Sequence, residues 1–418
     1  MERKQPEDAA AVRRRNLGSV LRHIAEHGPC ARTEIAAATG LAHGSVTALV
    51  ADLIDRGLVG EDDAQRSGGR GRPGRPLRVL ARRAMSLAVQ ITSEELRAVL
   101  ADLAGEVVWR DAVAHRCATG DPDAMADAVA AVVRRGGAAV RAGDVLVRVV
   151  IAMAGPVRDD QAQTVVVAPD FGWMRPVRLG EMVSRRLPGI GCPVDVINDG
   201  NAAALAEFHA RPATRGLVLI EAGTGIGGGI VVDGRIWAGG HGVAGEPGHV
   251  PVAWDGPDCV CGARGCLVCF AGPEAVLTAA GLGEVLRREG VRVASDRLVG
   301  ALENGEAAAV AAVGRAGRAL GAAVLSISAL LDVDEIVLGG TLAQWFPWLG
   351  PIVAEALAGR RRLAPAMEPA IVPAVLGADA MVAGAIEFAR HAVLSDPAVV
   401  PVARGPVPPG RAAAAVPG

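Results

Sequence analysis

Between Thr33 and Gly57 the chain reads TEIAAATGLAHGSVTALVADLIDRG, and this stretch decides the fold of the N-terminal part. Ile35 and Ala38 share the inward face of a short helix that Thr33 is placed to cap, and Gly40 supplies a tight turn before Leu41. Val46, Leu49, Val50, Leu53 and Ile54 then recur at helical spacing from about Gly44 to Arg56, where Gly57 stops the run. Upstream, Leu17, Val20, Leu21 and Ile24 give one amphipathic helix over Asn16–Glu26 that ends near Gly28-Pro29. Helix, short turn and helix at this spacing predict a helix-turn-helix whose third helix enters the DNA major groove. His43, Ser45, Thr47 and Ala48 are the groove-facing positions. Ser45 and Thr47 can bond phosphate or base edges, but none of the four can grip a base through two hydrogen bonds, so base selection by this helix is modest.

Leu58-Val59 continues as a strand, and Leu77–Leu80 returns after a loop reading RSGGRGRPGRP. Glycines in such a loop let backbone lie close to DNA, and Arg70 and Arg72 at its tip suit a narrow, electronegative minor groove. The other reading is an arginine-rich linker. Position between two short strands after a helix-turn-helix favours a wing.

Charge agrees with this placement. The formal net charge of −2 conceals 15 Lys or Arg against 10 Asp or Glu in residues 1–83, which leaves 28 against 35 in the rest. A basic end on an acidic body suits contact with a polyanion through that end alone. A hydrophobic content of 51% with 21% charged residues is that of a globular chain, and 418 residues call for two or three domains. The sequence shows no apolar run of membrane-spanning length, and the opening MERKQPEDAA lacks a secretory core, so a cytoplasmic location is expected. Cys30, Cys117 and Cys192 are scattered singly, whereas Cys259, Cys261, Cys266 and Cys269 cluster, which points to metal and not to a disulfide framework.

Beyond Ala84 strands and helices alternate: Leu87–Ile91, Arg97–Leu103 and Val107–Trp109 as strands, a helix near Asp123–Arg135, the strand Val145–Ala152, a helix near Leu179–Leu187, and Val194–Ile197. The order restarts with Leu217–Glu221 and Ile226–Val232, which predicts two successive α/β halves with a ligand cleft. Four motifs occur along them: Asn198-Asp199-Gly200-Asn201-Ala202-Ala203-Ala204-Leu205, Gly223-Thr224-Gly225-Ile226-Gly227-Gly228-Gly229-Ile230, Gly245-Glu246-Pro247-Gly248-His249, and Cys259-Val260-Cys261-Gly262-Ala263-Arg264-Gly265-Cys266. In this order they resemble the ROK family (repressors, open reading frames and kinases), and with the N-terminal module they resemble its DNA-binding repressor branch, over nearly all of residues 16–392.

The resemblance implies an α/β fold in which a winged helix-turn-helix over 12–82 precedes a bilobed, actin-like and sugar-kinase-like domain, a duplicated ribonuclease H-like fold. Its lobes are expected at 84–198 and 199–392, with a zinc loop in the second, and 396–418 reads as a mobile tail rich in proline, alanine and glycine. It assigns sugar contacts to Asn198, Asp199, Glu246 and His249, a set in which carboxylates accept from hydroxyls and the amide both donates and accepts. Asn198-Asp199 also fit a helix-capping role. Where the family places a sugar-binding glutamate two residues after its cysteine motif, this chain has Val268.

His249, Cys259, Cys261 and Cys266 offer three thiolates and an imidazole, matching a structural, tetrahedral Zn²⁺ with no open position for a catalytic water. Cys269 is an alternative to His249 as fourth ligand; the family pattern favours His249. Zinc on one ring nitrogen leaves the other to meet a sugar hydroxyl.

The family's kinases carry an Asp-x-Gly-Gly-Thr turn for the ATP phosphates, and here Gln90-Ile91-Thr92-Ser93-Glu94-Glu95 stands in that place. Both glycines are gone and two acids face a triphosphate. The expected partners are therefore operator DNA, a monosaccharide effector and further copies of the chain, as a homodimer or homotetramer, in a sugar-controlled repressor without kinase activity. The alternatives are a bifunctional ATP-dependent sugar kinase, in which Asp199 is the base, and a DNA-binding protein that responds to no ligand.

Overall fold

Asp8 starts the first helix, its Oδ1 accepting the Ala10 N–H at 3.2 Å, and α1 (Ala9–His27) buries Leu17, Val20, Leu21 and Ile24 along one stripe. The computed structural model describes residues 8–62, 75–115, 120–358 and 369–403. The second helix, α2 (Arg32–Thr39), begins one residue before the Thr33 cap expected from sequence: Ala31 is the N-cap, and Glu34 supplies the side chain, accepting the Ala31 N–H at 2.7 Å. Thr33 thus lies inside the first turn, because a glutamate three residues past the cap closes it from the helix side. Gly40, at φ +69°, turns the chain in the left-handed region, and α3 (His43–Asp55) leaves α2 at 114°. That angle belongs to a helix-turn-helix.

The strands β1 (Val59–Glu61) and β2 (Leu77–Val79) pair antiparallel with Val59 opposite Val79, and Cys30 extends the ladder through two bonds to Leu77 at 3.1 and 2.8 Å. The expected wing tip with Arg70 and Arg72 lies outside the described residues.

The first five-stranded sheet contains β3 (Ala84–Ile91), β4 (Glu95–Asp102), β5 (Val107–Ala114), β6 (Val145–Met153) and β9 (Val194–Asn198), in the order β5-β4-β3-β6-β9. All eight residues of β3 are buried, polar Ser86 and Gln90 included, as befits a central strand. Edge strand β5 instead alternates between half-buried and exposed. Between these strands lie α4 (Pro122–Ala138), the hairpin β7 (Val157–Arg158) and β8 (Thr164–Val165), and α5 (Leu179–Arg185).

The second sheet repeats the plan. After α6 (Asp199–His209) come β10 (Gly216–Ala222), β11 (Ile226–Val232), β12 (Arg235–Ile236), α7 (Val268–Ala271), α8 (Pro273–Ala279), α9 (Gly283–Glu303), α10 (Ala307–Leu331), β13 (Glu335–Gly340), α11 (Thr341–Gln344), α12 (Phe346–Ala358), β14 (Ala370–Pro373) and α13 (Ala380–Ser395). Its order is β12-β11-β10-β13-β14, so both sheets place their five strands in the sequence third, second, first, fourth, fifth. This repeated topology is the expected duplication. Helix α10 has the length and hydropathy of a membrane span, contrary to the reading that no run reaches it, but Val313, Leu320 and Val324 are buried in the core of this unit. Buried Trp345 in the same core donates its indole N–H to Ser295 Oγ at 2.8 Å.

Among the described residues the chain divides into two units, and their limits differ from contiguous lobes at 84–198 and 199–392. One takes the residues up to Ile151 with Leu179–Asp195 and those from Ile386 onward, and the other takes Ala152–Arg178 with Val196–Ala385. The first unit has a continuous apolar cluster in which the winged-helix residues Leu21, Ile35, Leu53 and Leu77 join Ala84, Leu103, Val147, Val393 and Val400. Val400 corrects the expectation that a mobile tail begins at Asp396. It is fully buried, and Arg56 Nη1 donates to its carbonyl at 2.6 Å and to that of Ala398 at 3.2 Å, while the Ala403 N–H reaches Asp55 O at 2.8 Å. Residues 404–418 of the expected tail lie outside the described residues.

Candidate DNA-binding face, ligand site and metal centre

On α3, Val46, Leu49, Val50 and Leu53 are buried and His43, Gly44, Ser45, Thr47 and Ala48 are exposed, so the sequence-predicted groove positions form one accessible face. No side chain caps this helix, and its N-terminal amides remain to meet an anion. Thr47 Oγ1 donates to His43 O at 2.9 Å, which leaves its lone pairs for an incoming donor. Several basic groups of the module are already paired: Arg13 with Asp52 at 2.7 Å, Arg32 with Glu61 at 2.6 Å and Arg78 with Asp62 at 2.5 Å. Hydrogen bonds from Arg32, partly opposed by burial, hold the Glu61 carboxyl below its usual range.

The ligand site expected from sequence lies wholly in the second unit. Asn198 caps α6: its Oδ1 accepts the Asn201 N–H at 2.9 Å, and its Nδ2 donates to Gly155 O at 3.1 Å. The capping role is therefore present, and one amide hydrogen remains for another partner. Asp199 begins the helix with Oδ1 on the Gly200 N–H at 2.8 Å. Glu246 precedes a 3₁₀ turn, Pro247–His249, in which the His249 N–H bonds Glu246 O at 3.1 Å; residues three apart eclipse in such a turn and so share a face.

Burial, with Asp170 beside it, pushes Asp199 up to about 6 against the pull of the Gly200 N–H. Burial, then the Asp199 charge, pushes Glu246 up to about 7. Glu221 on β10, which sequence reasoning passed over, is likewise pushed up to about 7 by burial, then by Asp199 and Glu207. Its signal was visible as one acid in the apolar run LVLIEA. Asn201, 7% exposed, adds an acceptor, for its Oδ1 has no hydrogen-bond partner among the described residues.

The glycine motif divides by role. A Cβ on Gly200 would sit 2.2 Å from Gly228 O, and one on Gly229 would sit 2.8 Å from the Ala204 Cβ, so these glycines let α6 lie directly on β11. A Cβ on Gly223 or Gly227 would meet nothing within 4 Å, and the nearest neighbour at Gly225 is Val268 Cγ2 at 3.8 Å. Val268, where the family places an acid, thus forms an apolar wall beside the Gly223–Gly225 turn.

His249, Cys259, Cys261 and Cys266 bring their ligand atoms within 4.8 Å of one another, a group able to hold a metal ion. Cys259 Sγ lies 3.6 Å from His249 Nδ1, and Cys261 Sγ lies 3.7 Å from Cys266 Sγ. A tetrahedral ion with bonds of about 2.3 Å to sulfur and about 2.0 Å to nitrogen needs roughly these separations. Burial, then the neighbouring thiols, push the Cys266 thiol up to about 12, whereas at Cys259 burial is outweighed by hydrogen bonds from Cys261 and the other thiols, which hold that thiol below its usual value. Cys269 turns its Sγ to Asp258 O at 3.9 Å and is not among the four.

In the first unit, the turn between β3 and β4 is closed on itself. Thr92 Oγ1 accepts the N–H groups of Glu94 at 3.3 Å and Glu95 at 3.0 Å, and the Thr92 N–H bonds Glu95 O at 3.0 Å.

The ROK family pattern matches residues 86–392, and the MarR family pattern matches residues 18–72. A kanosamine kinase of Amycolatopsis mediterranei is 40% identical over 192 residues, 46% of this chain and 61% of that kinase, so the match spans less than two thirds of its length. A xylose repressor of Bacillus spizizenii is 26% identical over 276 residues, 65% of this chain and 69% of the repressor. Among solved structures, a ROK family transcriptional regulator, a homolog of the E. coli MLC protein, superposes with a TM-score of 0.77 at 26% identity, covering 93% of this chain and 99% of that one. With a MarR-type winged helix ahead of duplicated α/β sheets that carry the family's motifs, the chain belongs to the ROK family.

Proposed function

We propose that the chain is a sugar-responsive transcriptional repressor, acting as a dimer or tetramer in the cytoplasm, whose second unit binds a monosaccharide and whose winged helix binds operator DNA. The observation that carries this reading is the presence, in one chain, of an exposed and uncapped α3, of a sugar-type site in the second unit, and, in the first unit, of a Thr92–Glu95 turn whose amides are closed by Thr92. A phosphate loop works by turning free backbone amides toward oxygen anions, and here the amides of Glu94 and Glu95 are spent on a hydroxyl beside two carboxylates. Full coverage of a regulator structure by a similar chain supports the same conclusion.

On the sugar side, Asp199, Glu246 and the remaining Asn198 amide hydrogen would hold ring hydroxyls, with His249 presenting Nε2. His249, Cys259, Cys261 and Cys266 would hold a structural zinc, which when bound supplies a fixed positive centre that orients the imidazole. With four protein ligands the ion has no place for a reacting water. On the DNA side, the α3 amides would take a phosphate while Ser45, Thr47 and His43 face base edges, and Arg70 and Arg72 would enter the minor groove. Two-fold symmetric operators match a symmetric oligomer.

The test is to select binding sites from random DNA with the full chain, then titrate the selected duplex with and without each member of a monosaccharide panel. A sugar that changes duplex affinity at least fivefold is expected. A chain that selected no sequence, or ATP-dependent phosphorylation of any hexose, would replace this reading with that of an enzyme; the kinship to a kanosamine kinase and the retained Asp199 make the second assay necessary.

A further inference from the structure

Glu221 is the one charged residue of β10, and its neighbours in the ladder bear no side chain: it stands opposite Gly227 of β11 and Gly339 of β13. A Cβ on Gly339 would lie 3.1 Å from Glu221 Cγ, so the carboxylate arm lies across the space that the missing side chain leaves. On its other side, at Gly227, a Cβ would meet nothing within 4 Å. Ala222 and Gly340 end the two parallel strands side by side, and the Gly223–Gly225 turn follows at once. The carboxyl ends of parallel strands are where sheets of this kind receive ligands, and glycine turns there ordinarily let phosphate oxygens reach backbone amides.

The charge at this place is wrong for phosphate. Asp199 and Glu207 act on Glu221 through space, Asp170 acts on Asp199, and among the described residues no basic side chain offsets either Glu221 or Asp199. Filling the nearby metal centre would not reverse the sign, since a divalent ion held by three thiolates and a neutral imidazole carries a net negative charge. An incoming phosphate would have to force a proton onto Glu221 or face its charge at short range. A sugar hydroxyl has neither problem, because it donates to such acceptors.

We propose that Glu221 is a specificity-determining residue that excludes phosphate-bearing ligands, so that the site selects free sugars over sugar phosphates and nucleotides. This deepens the sugar-binding reading given above and rests on it for the identity of the accepted ligand. Its geometry is that of one acid set between two glycines, where the glycines provide access and the acid decides what uses it.

Titration calorimetry on the full chain at pH 8 tests it, with wild type, Glu221→Gln and Glu221→Thr. The probes are ADP without magnesium and, for whichever free hexose raises the melting temperature most, that hexose and its 6-phosphate. Wild type should bind the free hexose at least thirtyfold more tightly than its phosphate and should not bind ADP at millimolar concentration. Both variants should raise affinity for the phosphate relative to the free sugar, and for ADP, at least tenfold. Equal affinity of wild type for sugar and sugar phosphate would overturn the proposal without any variant, as would unchanged ADP affinity in two variants that melt normally. If no free sugar binds yet ADP binding appears in both variants, phosphate exclusion by Glu221 stands and the sugar reading fails.

Discussion

Val400→Ala should loosen the winged helix, although the two regions are separated by the length of the chain. Val400 is fully buried in the cluster that holds Leu21, Leu53 and Leu77. Removing two buried carbons forfeits about 1.6 kcal/mol of transfer free energy, and the cavity left in a packed site brings the cost to about 2–3 kcal/mol. In a unit of this size each kcal/mol moves the melting midpoint by about 2–4 °C, so a drop of roughly 4–12 °C is expected. Truncation after Ser395 removes Val400 together with the carbonyls of Ala398 and Val400 that accept from Arg56, and should cost more than the point substitution. Truncation after Ala403 keeps all of these groups and should leave stability unchanged. Hydrogen exchange over Leu17–Ile24 and Leu49–Leu53 reports the winged helix directly. It should quicken in Val400→Ala and in the shorter truncation only. Exchange in those two helices that matched the full chain after removal of residues 396–418 would refute the argument that this segment belongs to the DNA-binding module's core.

Cys261→Ser should lower bound metal well below one ion per chain and abolish the sugar response while preserving operator affinity within about threefold, as measured by metal analysis beside duplex titration; a metal-free variant that answered sugar normally would break the link through His249. Arg70→Ala with Arg72→Ala should weaken operator binding and flatten its salt dependence by about two phosphate contacts, whereas changes at Ser45 and Thr47 should alter sequence preference more than overall affinity. Glu221 holds its proton to about 7 in the folded chain against about 4.3 when unfolded, so its presence lowers stability as pH rises between those values. Glu221→Gln should therefore melt like wild type near pH 4 and above it at pH 8, by at most about 4 kcal/mol, and identical melting of the two proteins at pH 8 would remove the case for a desolvated carboxyl.

The parts of the fold that were legible in the sequence are those set by near neighbours. Helical spacing of Val46, Leu49, Val50 and Leu53 and the turn glycine Gly40 each act over a turn or two, and each appears where expected, while the strand expected over Leu87–Ile91 is the C-terminal part of β3. The group of His249, Cys259, Cys261 and Cys266 that could hold a metal ion was legible for the same reason, since its three cysteines fall within eight residues of one another. The start of α2 was misplaced by a subtler local competition, in which the Glu34 carboxylate reaching back outweighed a Thr33 hydroxyl. What could not be read was order that comes from distant partners. Asp396–Ala403 has no periodicity of its own and is fixed by Arg56, whose bond to Val400 joins residues 344 apart in sequence.

The glycine-rich stretch shows most plainly why a motif underdetermines its chemistry. Gly223–Gly229 supports two physical readings, backbone approach to a phosphate and backbone approach to a helix, and the residues are the same in both. The fold assigns them separately: the space at Gly229 is occupied by α6 and that at Gly228 by Leu219 O and Pro247, while Gly223 and Gly227 open onto unfilled space. For the open glycines to serve a phosphate, positive charge or free amides must converge on them, yet the side chain between Gly227 and Gly339 is a carboxylic acid. In the first unit the corresponding turn has its amides bound to Thr92 Oγ1. The glycines on which α6 packs keep their places whatever the open ones serve, so the position of Asn198 and Asp199 at the start of α6 does not depend on a phosphate contact.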